Sequence, residues 1–294
     1  MDEVWIERVR SFNRMVAERI GALNDHFLGR NRPVGEARLL WEIGVDGADI
    51  RDLRARLSLD SSYVSRLLRS LERQSLVEVA GQPHDRRVRH AVLTDAGLAE
   101  RAEYDRRSND LARRFLEPLT DKQRARVVAA MAEVERLLTA SIVTVSVTNP
   151  AAADARACVA HYFEELQTRF DSGFDSARSI SADDHELMPP AGCFLVARLR
   201  ESPIACGAVK LHDNAPAELK RMWVAPSVRG LGVGSRLLVE LERHARDAGT
   251  RVIRLETNRA LKEAIALYRA NGYREVAPFN AEPYAHHWFE KRLA

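Results

Sequence analysis

Apolar residues along the first 140 positions recur every three to four residues. Trp5, Val9, Phe12, Val16 and Ile20 mark one stripe, and Val127, Val128, Met131, Val134, Leu137 and Leu138 mark another. This spacing predicts mostly helix, because side chains three and four apart share a helix face. Between the stripes, ADIRDLRARL and DSSYVSRLLRSLERQ read as two short amphipathic helices joined tightly near Ser58–Asp60. Asp60 suits the N-cap of the second, since its carboxylate can accept from amides of the first turn. That helix is segregated, with Val64, Leu67, Leu68 and Leu71 on one face and Ser62, Arg66, Arg69 and Arg73 on the other. LVEVAGQPHDRRVRHAVLT follows as two strand-like runs around a polar, basic tip.

The pattern changes at TASIVTVSVTNPAAADARA. A helix is expected to run close to Ser146, with a joint at about 145–153, dividing the chain into domains 1–148 and 149–294. Beyond it, strands are expected at Cys193–Leu199, Ile204–Leu211, Glu218–Val224 and Val252–Glu256, and helices at Ser235–Ala248 and Glu263–Ala270. Short strands at Tyr273–Val276 and His287–Leu293 complete an α/β pattern with a mixed central sheet. The fold class is therefore a mainly α domain followed by an α/β domain.

Composition narrows the setting. A chain of 294 residues, 46% hydrophobic, can fill two cores. The net charge of +3 is too small to mark a nucleic-acid protein by itself, so any such signal must be local. Three cysteines, Cys158, Cys193 and Cys206, lack C-x-x-C spacing, which argues against zinc or a disulfide framework and suits a reducing cytoplasm. The charged start MDEVWIERVRSF is no signal-peptide core, and no apolar run approaches the roughly 20 residues of a membrane span.

The local signal lies in the first half. Hydroxyls and arginines on one helix face suit major-groove reading, because a guanidinium can pair bidentately with guanine. Arg86, Arg87 and Arg89 crowd the ribbon tip, where they can meet phosphates or a narrow minor groove. Residues 4–145 resemble a winged-helix repressor of the MarR family. The likeness rests on the leading helix, the helix-turn-helix, the step Leu71, Arg73, Leu76, Val77, the DRR tip at Asp85–Arg87, and LTDAG at Leu93–Gly97. It implies a homodimer through terminal helices that binds a double-stranded operator, often released by a small ligand. Ser62, Arg66, Arg69, Arg86 and Arg87 are the implied DNA contacts.

In the second half, RGLGVG at Arg229–Gly234 follows a strand ending in MWVAP and opens a helix. The dinucleotide fingerprint G-x-G-x-x-G/A fails, because Leu237 or Ser235 stands where a small final residue is needed. No lysine follows to make a Walker loop. What remains is R-x-x-G-x-G, a turn that aims backbone amides and a helix N-terminus at an oxyanion cluster. With the A-x-x-L-Y-x-x-x-G-Y segment from Ala264 to Tyr273, residues 152–294 resemble the GNAT superfamily of N-acetyltransferases.

That resemblance implies acetyl-CoA as co-substrate and an amine as acceptor. Arg229, Gly230, Leu231, Gly232, Val233, Gly234 and Ser235 would form its diphosphate loop. Val224 would bond pantetheine and polarise the thioester carbonyl, and Tyr268 would protonate the departing thiolate. The family often has asparagine seven residues before the tyrosine; here Leu261 stands there, and Asn258 lies ten before. For the base, Glu218 is the first expectation, followed by His212, the pair His286–His287, or a water chain. Tyr162, Phe163, Phe170 and Phe174 are expected to wall the acceptor pocket, with Glu164, Glu165 and Asp171 meeting a cationic amine. Two readings stay open: an active N-acetyltransferase fused to a regulator, or a repressor whose second domain senses acetyl-CoA or an amine without turnover.

Overall fold

The computed structural model describes residues 2–21, 27–57, 59–81 and 89–293. The chain divides into two units, Met1–Ala130 and Met131–Ala294. In the first, α1 (Glu3–Ile20) starts where the Asp2 side chain accepts from the Val4 amide and stops at Gly21, whose φ of 67° only glycine adopts freely. Then follow α2 (Val34–Ile43), β1 (Ala48–Asp49), α3 (Ile50–Leu57) and α4 (Ser61–Arg73). β2 (Val77–Gly81), β3 (Arg89–Leu93), α5 (Asp95–Leu116) and the start of α6 (Asp121–Ser141) complete it.

The three short strands pair antiparallel in the order β1-β3-β2, with Val77 opposite Leu93 and Gly81 opposite Arg89. Leu39, Leu40, Ile43, Leu53, Val64, Leu68 and Leu71 fill the core beneath them. LTDAG has a physical reason. Thr94 Oγ1 donates to the Ser75 carbonyl at 2.7 Å and accepts from the Gly97 amide at 3.0 Å. A Cβ on Gly97 would lie 2.0 Å from the Leu76 carbonyl oxygen, so only glycine lets α5 approach the end of α4 this closely.

The second unit begins within α6. Residues 143–147, expected at a helix end and linker, form β4 (Val143–Val147), which pairs antiparallel with β5 (Gly192–Leu199). Alternating β-branched Val143, Val145 and Val147 favour a half-buried strand over helix, and Val143 is buried. The expected boundary at 148/149 thus falls behind the first strand of this sheet. α7 (Ala153–Arg169) leads to β5, then β6 (Ser202–Lys210), β7 (Ala217–Val224), α8 (Val233–Asp247), β8 (Val252–Thr257), α9 (Lys262–Ala270), β9 (Arg274–Val276) and β10 (His287–Arg292).

The seven strands run in the order β4-β5-β6-β7-β8-β10-β9, and only β7 and β8 pair in parallel. Alternation along β5 serves two cores. Leu195 and Ala197 join Leu237, Leu238 and Leu241 of α8, while Phe194 and Val196 join Ala155 and Cys158 of α7. Two irregularities position the site. Between Cys206–Trp223 and Ala208–Lys220 the register shifts, so Arg221 and Met222 both face Gly207. Arg221 has φ of 55° and is held by its side chain, which donates to the Ala182 carbonyl at 2.6 Å. Second, β7 and β8 pair only at Ala217–Ile253 and Glu218–Arg254, and beyond those rungs they part. Among the described residues no helix is long and apolar enough to cross a membrane.

Candidate functional site

Beside the end of β7 lies a cavity of about 490 Å3, bounded by Trp223 and Val224, the glycine loop, α9 and the end of α7. Gly230 and Gly232 have φ of 81° and 77°, and an added Cβ at either would meet nothing within 4 Å. Backbone conformation, not crowding, therefore requires glycine there. Gly234 differs, since its Cβ would come 3.1 Å from Leu267 Cδ2, so it sets the approach of α8 to α9. Gly232 caps α8 without a side-chain partner, and the first turn carries no acidic residue. The amides there lack helical acceptors and face the cavity with the positive end of the helix dipole. Loop and dipole suit a diphosphate.

Arg229, expected at the diphosphate, is engaged elsewhere. Its Nε donates to the Val224 carbonyl at 3.0 Å and its terminal nitrogen meets Glu165 at 2.5 Å. Its side chain thus fastens the loop to the end of β7. Burial works against ionisation of Glu165, but Arg169 and Arg229 hold its carboxyl below the usual range. Glu165 also accepts from Trp223 Nε1 at 3.0 Å, so it organises the cleft rather than meeting an amine.

Tyr268 lies at the back of this cavity and also lines a second one of about 100 Å3. It is nearly buried, packed on Tyr273 and Phe289 with ring centroids 5.8 and 6.1 Å away. Burial chiefly, and then the charge of Glu256, push its hydroxyl above its ordinary pKa, so it keeps its proton at neutral pH. The second cavity is walled by Tyr162, Phe163, Phe170 and Phe174, as the sequence leads one to expect, and by Tyr284. The expected acids do not reach it. Glu164 is exposed beside His161, and Asp171 pairs with Arg259 at 3.0 Å.

Glu218, expected as the base, lines neither cavity. It is buried beside Arg254 at 2.8 Å, Lys220 at 3.2 Å and His212 at 3.5 Å. Burial opposes its charge, yet Arg254 and Lys220 keep its carboxyl below the usual range, which makes it a poor proton acceptor. His212, paired with Glu218, and the pair His286–His287 are likewise outside both cavities, and His287 Nδ1 meets Glu275 at 2.6 Å. Two carboxylates line the small cavity, Glu256 and Glu282, and Glu256 is the one with an unpartnered oxygen among the described residues. Its Oε1 receives Lys220 Nζ at 2.5 Å, while its buried Oε2 has no hydrogen-bond partner among the described residues. Asn258 donates to the Tyr284 carbonyl at 2.7 Å and accepts from the Ala260 amide at 2.9 Å, so it shapes the loop, and Leu261 lines both cavities. Sequence reasoning missed Glu256 and Lys220. The available signal was charge at alternate positions in interior strands, Glu218 and Lys220 beside Arg254 and Glu256.

In the first unit, α4 carries the expected division. Val64, Leu67, Leu68 and Leu71 are buried, and Ser62, Arg66, Arg69 and Arg73 are exposed. The Asp60 carboxylate accepts from the Tyr63 amide at 2.8 Å. The Arg66 guanidinium lies 5.6 Å from the Tyr63 ring centre, and Arg69 Nε donates to the Ser65 carbonyl at 3.3 Å. Among the described residues, none of these arginines lies within 4.0 Å of a carboxylate oxygen, whereas Arg30, Arg32, Arg38 and Arg107 are all ion-paired. Asp85, Arg86 and Arg87 lie outside the described residues.

Comparison with known proteins agrees with both halves. Residues 159–273 match the model of the Acetyltransferase (GNAT) family, and residues 28–88 that of the MarR family. An IAA acetyltransferase of Azospirillum brasilense is 35% identical over 122 residues, 41% of this chain and 80% of that protein. A solved structure of a putative acyl-CoA N-acyltransferase from Klebsiella pneumoniae aligns at 29% identity and TM-score 0.43, over 52% of this chain and 99% of that one. The PcaV transcriptional regulator of Streptomyces coelicolor aligns at 22% identity and TM-score 0.38, over 44% of this chain and 94% of that one.

Proposed function

The chain belongs to the GNAT acetyltransferase family and carries a MarR-family domain ahead of it, and from this premise we propose that it is a dimeric operator-binding regulator fused to an active N-acetyltransferase of the cytoplasm. The observation that carries the catalytic half is Tyr268, which stands between a large cavity beside the glycine loop and a small cavity beside Glu256. Acetyl-CoA would supply the activated acetyl group. The amides of residues 230–235 would hold its diphosphate, Arg229 would keep the loop in place, and the Val224 backbone would meet the pantetheine arm. The cleft fits such a ligand in its positive-φ glycines, its uncapped helix start and its apolar walls.

In transfer, a neutral amine bonds through its lone pair to the acetyl carbonyl carbon, and the carbon–sulfur bond breaks. Glu256 accepts the proton released from nitrogen, and Tyr268 gives its proton to the thiolate. Passage of the proton from Glu256 to Tyr268 restores both groups. Lys220, ion-paired with Glu256, would hold its side chain in place.

The test is release of CoA thiol from acetyl-CoA with a panel of amines, products being identified by mass. Tyr268→Phe should lower kcat at least about a hundredfold while acetyl-CoA still binds, on the scale general acids contribute. Unchanged turnover would remove Tyr268 from this role. One observation favours a sensor instead: Glu256 is already ion-paired with Lys220. In that case acetyl-CoA would bind and shift operator affinity without thiol release. For the regulator, Arg66→Ala and Arg69→Ala should each weaken operator binding, and Arg66→Ala should also relax sequence preference. Ser62 would join them at base edges, with Arg86 and Arg87 at the flanking phosphates or minor groove.

A further inference from the structure

Resting on the acetyltransferase reading above, the geometry points to an arylalkylamine as acceptor: a small primary amine carried on a flat aromatic group. We infer this from the wall, the charge and the size of the small cavity. The wall is a set of interlocked rings. Phe163 and Phe174 stack at 5.4 Å with 29° between planes, and Phe170 meets Phe174 edge-on at 5.9 Å. Tyr284 lies 5.0 Å from Phe174 and 5.8 Å from Phe170.

These rings are held open rather than left to collapse. The Tyr284 hydroxyl accepts from the Asp175 amide at 3.0 Å, and the Tyr284 carbonyl accepts from Asn258. Glu282 binds across the same region, accepting from Ser179 Oγ at 3.0 Å, the Ile180 amide at 2.6 Å and the Tyr284 amide at 3.2 Å. A flat ring sliding among such faces gains offset and edge contacts as well as burial.

The charges admit one cationic head. Glu282 is committed to its three donors. Lys220 is bound between Glu256 and Glu218, and Arg221 donates to Ala182 and lies beside Asp184. Among the charged residues that line the cavity, two buried atoms have no hydrogen-bond partner among the described residues, Glu256 Oε2 and Arg221 Nε. A polyamine needs a second anion, and the other carboxylate that lines the cavity, Glu282, is taken up by its three donors. The cavity's volume of about 100 Å3 is on the order of the ~150 Å3 cavity known to take benzene. It is far short of an aminoglycoside.

The experiment uses the full chain, with kcat/KM for thiol release measured with phenethylamine, benzylamine, butylamine, spermidine, an aminoglycoside and a lysine peptide. The acetyl-CoA dissociation constant is measured separately. Aryl amines should exceed butylamine about 10- to 100-fold, the range expected from burying one ring. Phe174→Ala should bring that ratio near unity while acetyl-CoA affinity holds; Phe163→Leu probes the same wall with less loss of volume. Better turnover of spermidine, the aminoglycoside or the peptide overturns the inference and leaves the enzyme standing. So does an aryl preference that survives both substitutions. Tight acetyl-CoA binding with no turnover of any amine overturns the acetyltransferase reading itself.

Discussion

Two glutamates on adjacent strands share one lysine, and their remaining neighbours separate their roles. Glu218 has Arg254 as a second cation, whereas Glu256 lines the small cavity and keeps one oxygen without a hydrogen-bond partner among the described residues. Glu256→Gln should lower kcat at least about a hundredfold with acetyl-CoA affinity within twofold, since a base acts on the amine and not on the cofactor. Glu218→Gln should leave kcat nearly intact and lower stability by about 3 kcal/mol at neutral pH, because it removes the carboxylate partner of the partly buried Arg254. The sign of its pH dependence follows from a folded pKa below the unfolded one. The stabilisation is complete above the unfolded value and is lost as pH falls through the folded value. Denaturant unfolding of both proteins should therefore show the gap shrinking below about pH 4.5. A gap that widens toward acid would contradict the Glu218 assignment.

At the scale of elements, the glycine loop asks for a backbone that only glycine supplies cheaply. Gly232→Val places a β-branched residue at φ of 77° and re-aims the first amides of α8. Acetyl-CoA affinity should drop more than about tenfold, read by calorimetry, with circular dichroism unchanged. The loop was legible because its glycines, the preceding strand and α8 are contiguous in sequence. So were α4, whose period of 3.6 separates leucines from arginines, and the Thr94–Gly97 cap. β4 was not. Five residues directly after a long helix offer little period, and the rungs from Val143–Leu199 to Val147–Leu195 join positions about 50 apart. Glu256, the base proposed above, was missed for the same reason. Which of Glu218 and Glu256 meets a cavity depends on where β7 and β8 part, and that follows from a bulge and a lost ladder rather than from residue type.

For the whole molecule, the unspent resource is apolar surface on helices that bury none of their residues. Trp5 is 67% exposed in α1, with Val9 and Phe12 on the same stripe, and in α6 Leu138 is 62% exposed beside Val134 and Leu137. Apolar stripes of this length are covered in stable proteins. A second copy of this chain is the cover proposed here, because a two-fold interface uses one self-complementary patch twice. Such a dimer would also present two α4 helices to successive turns of a duplex, as operator reading by this motif requires. Sedimentation at micromolar concentration should find a dimer. Trp5→Glu together with Phe12→Glu should shift it to monomer and cut operator affinity more than about a hundredfold. Acetyl-CoA affinity should not move, because the cleft residues from Tyr162 to Ala270 are drawn from the second unit alone. A wild-type monomer, or a double variant that stays dimeric and still binds its operator, would refute the assignment of these stripes.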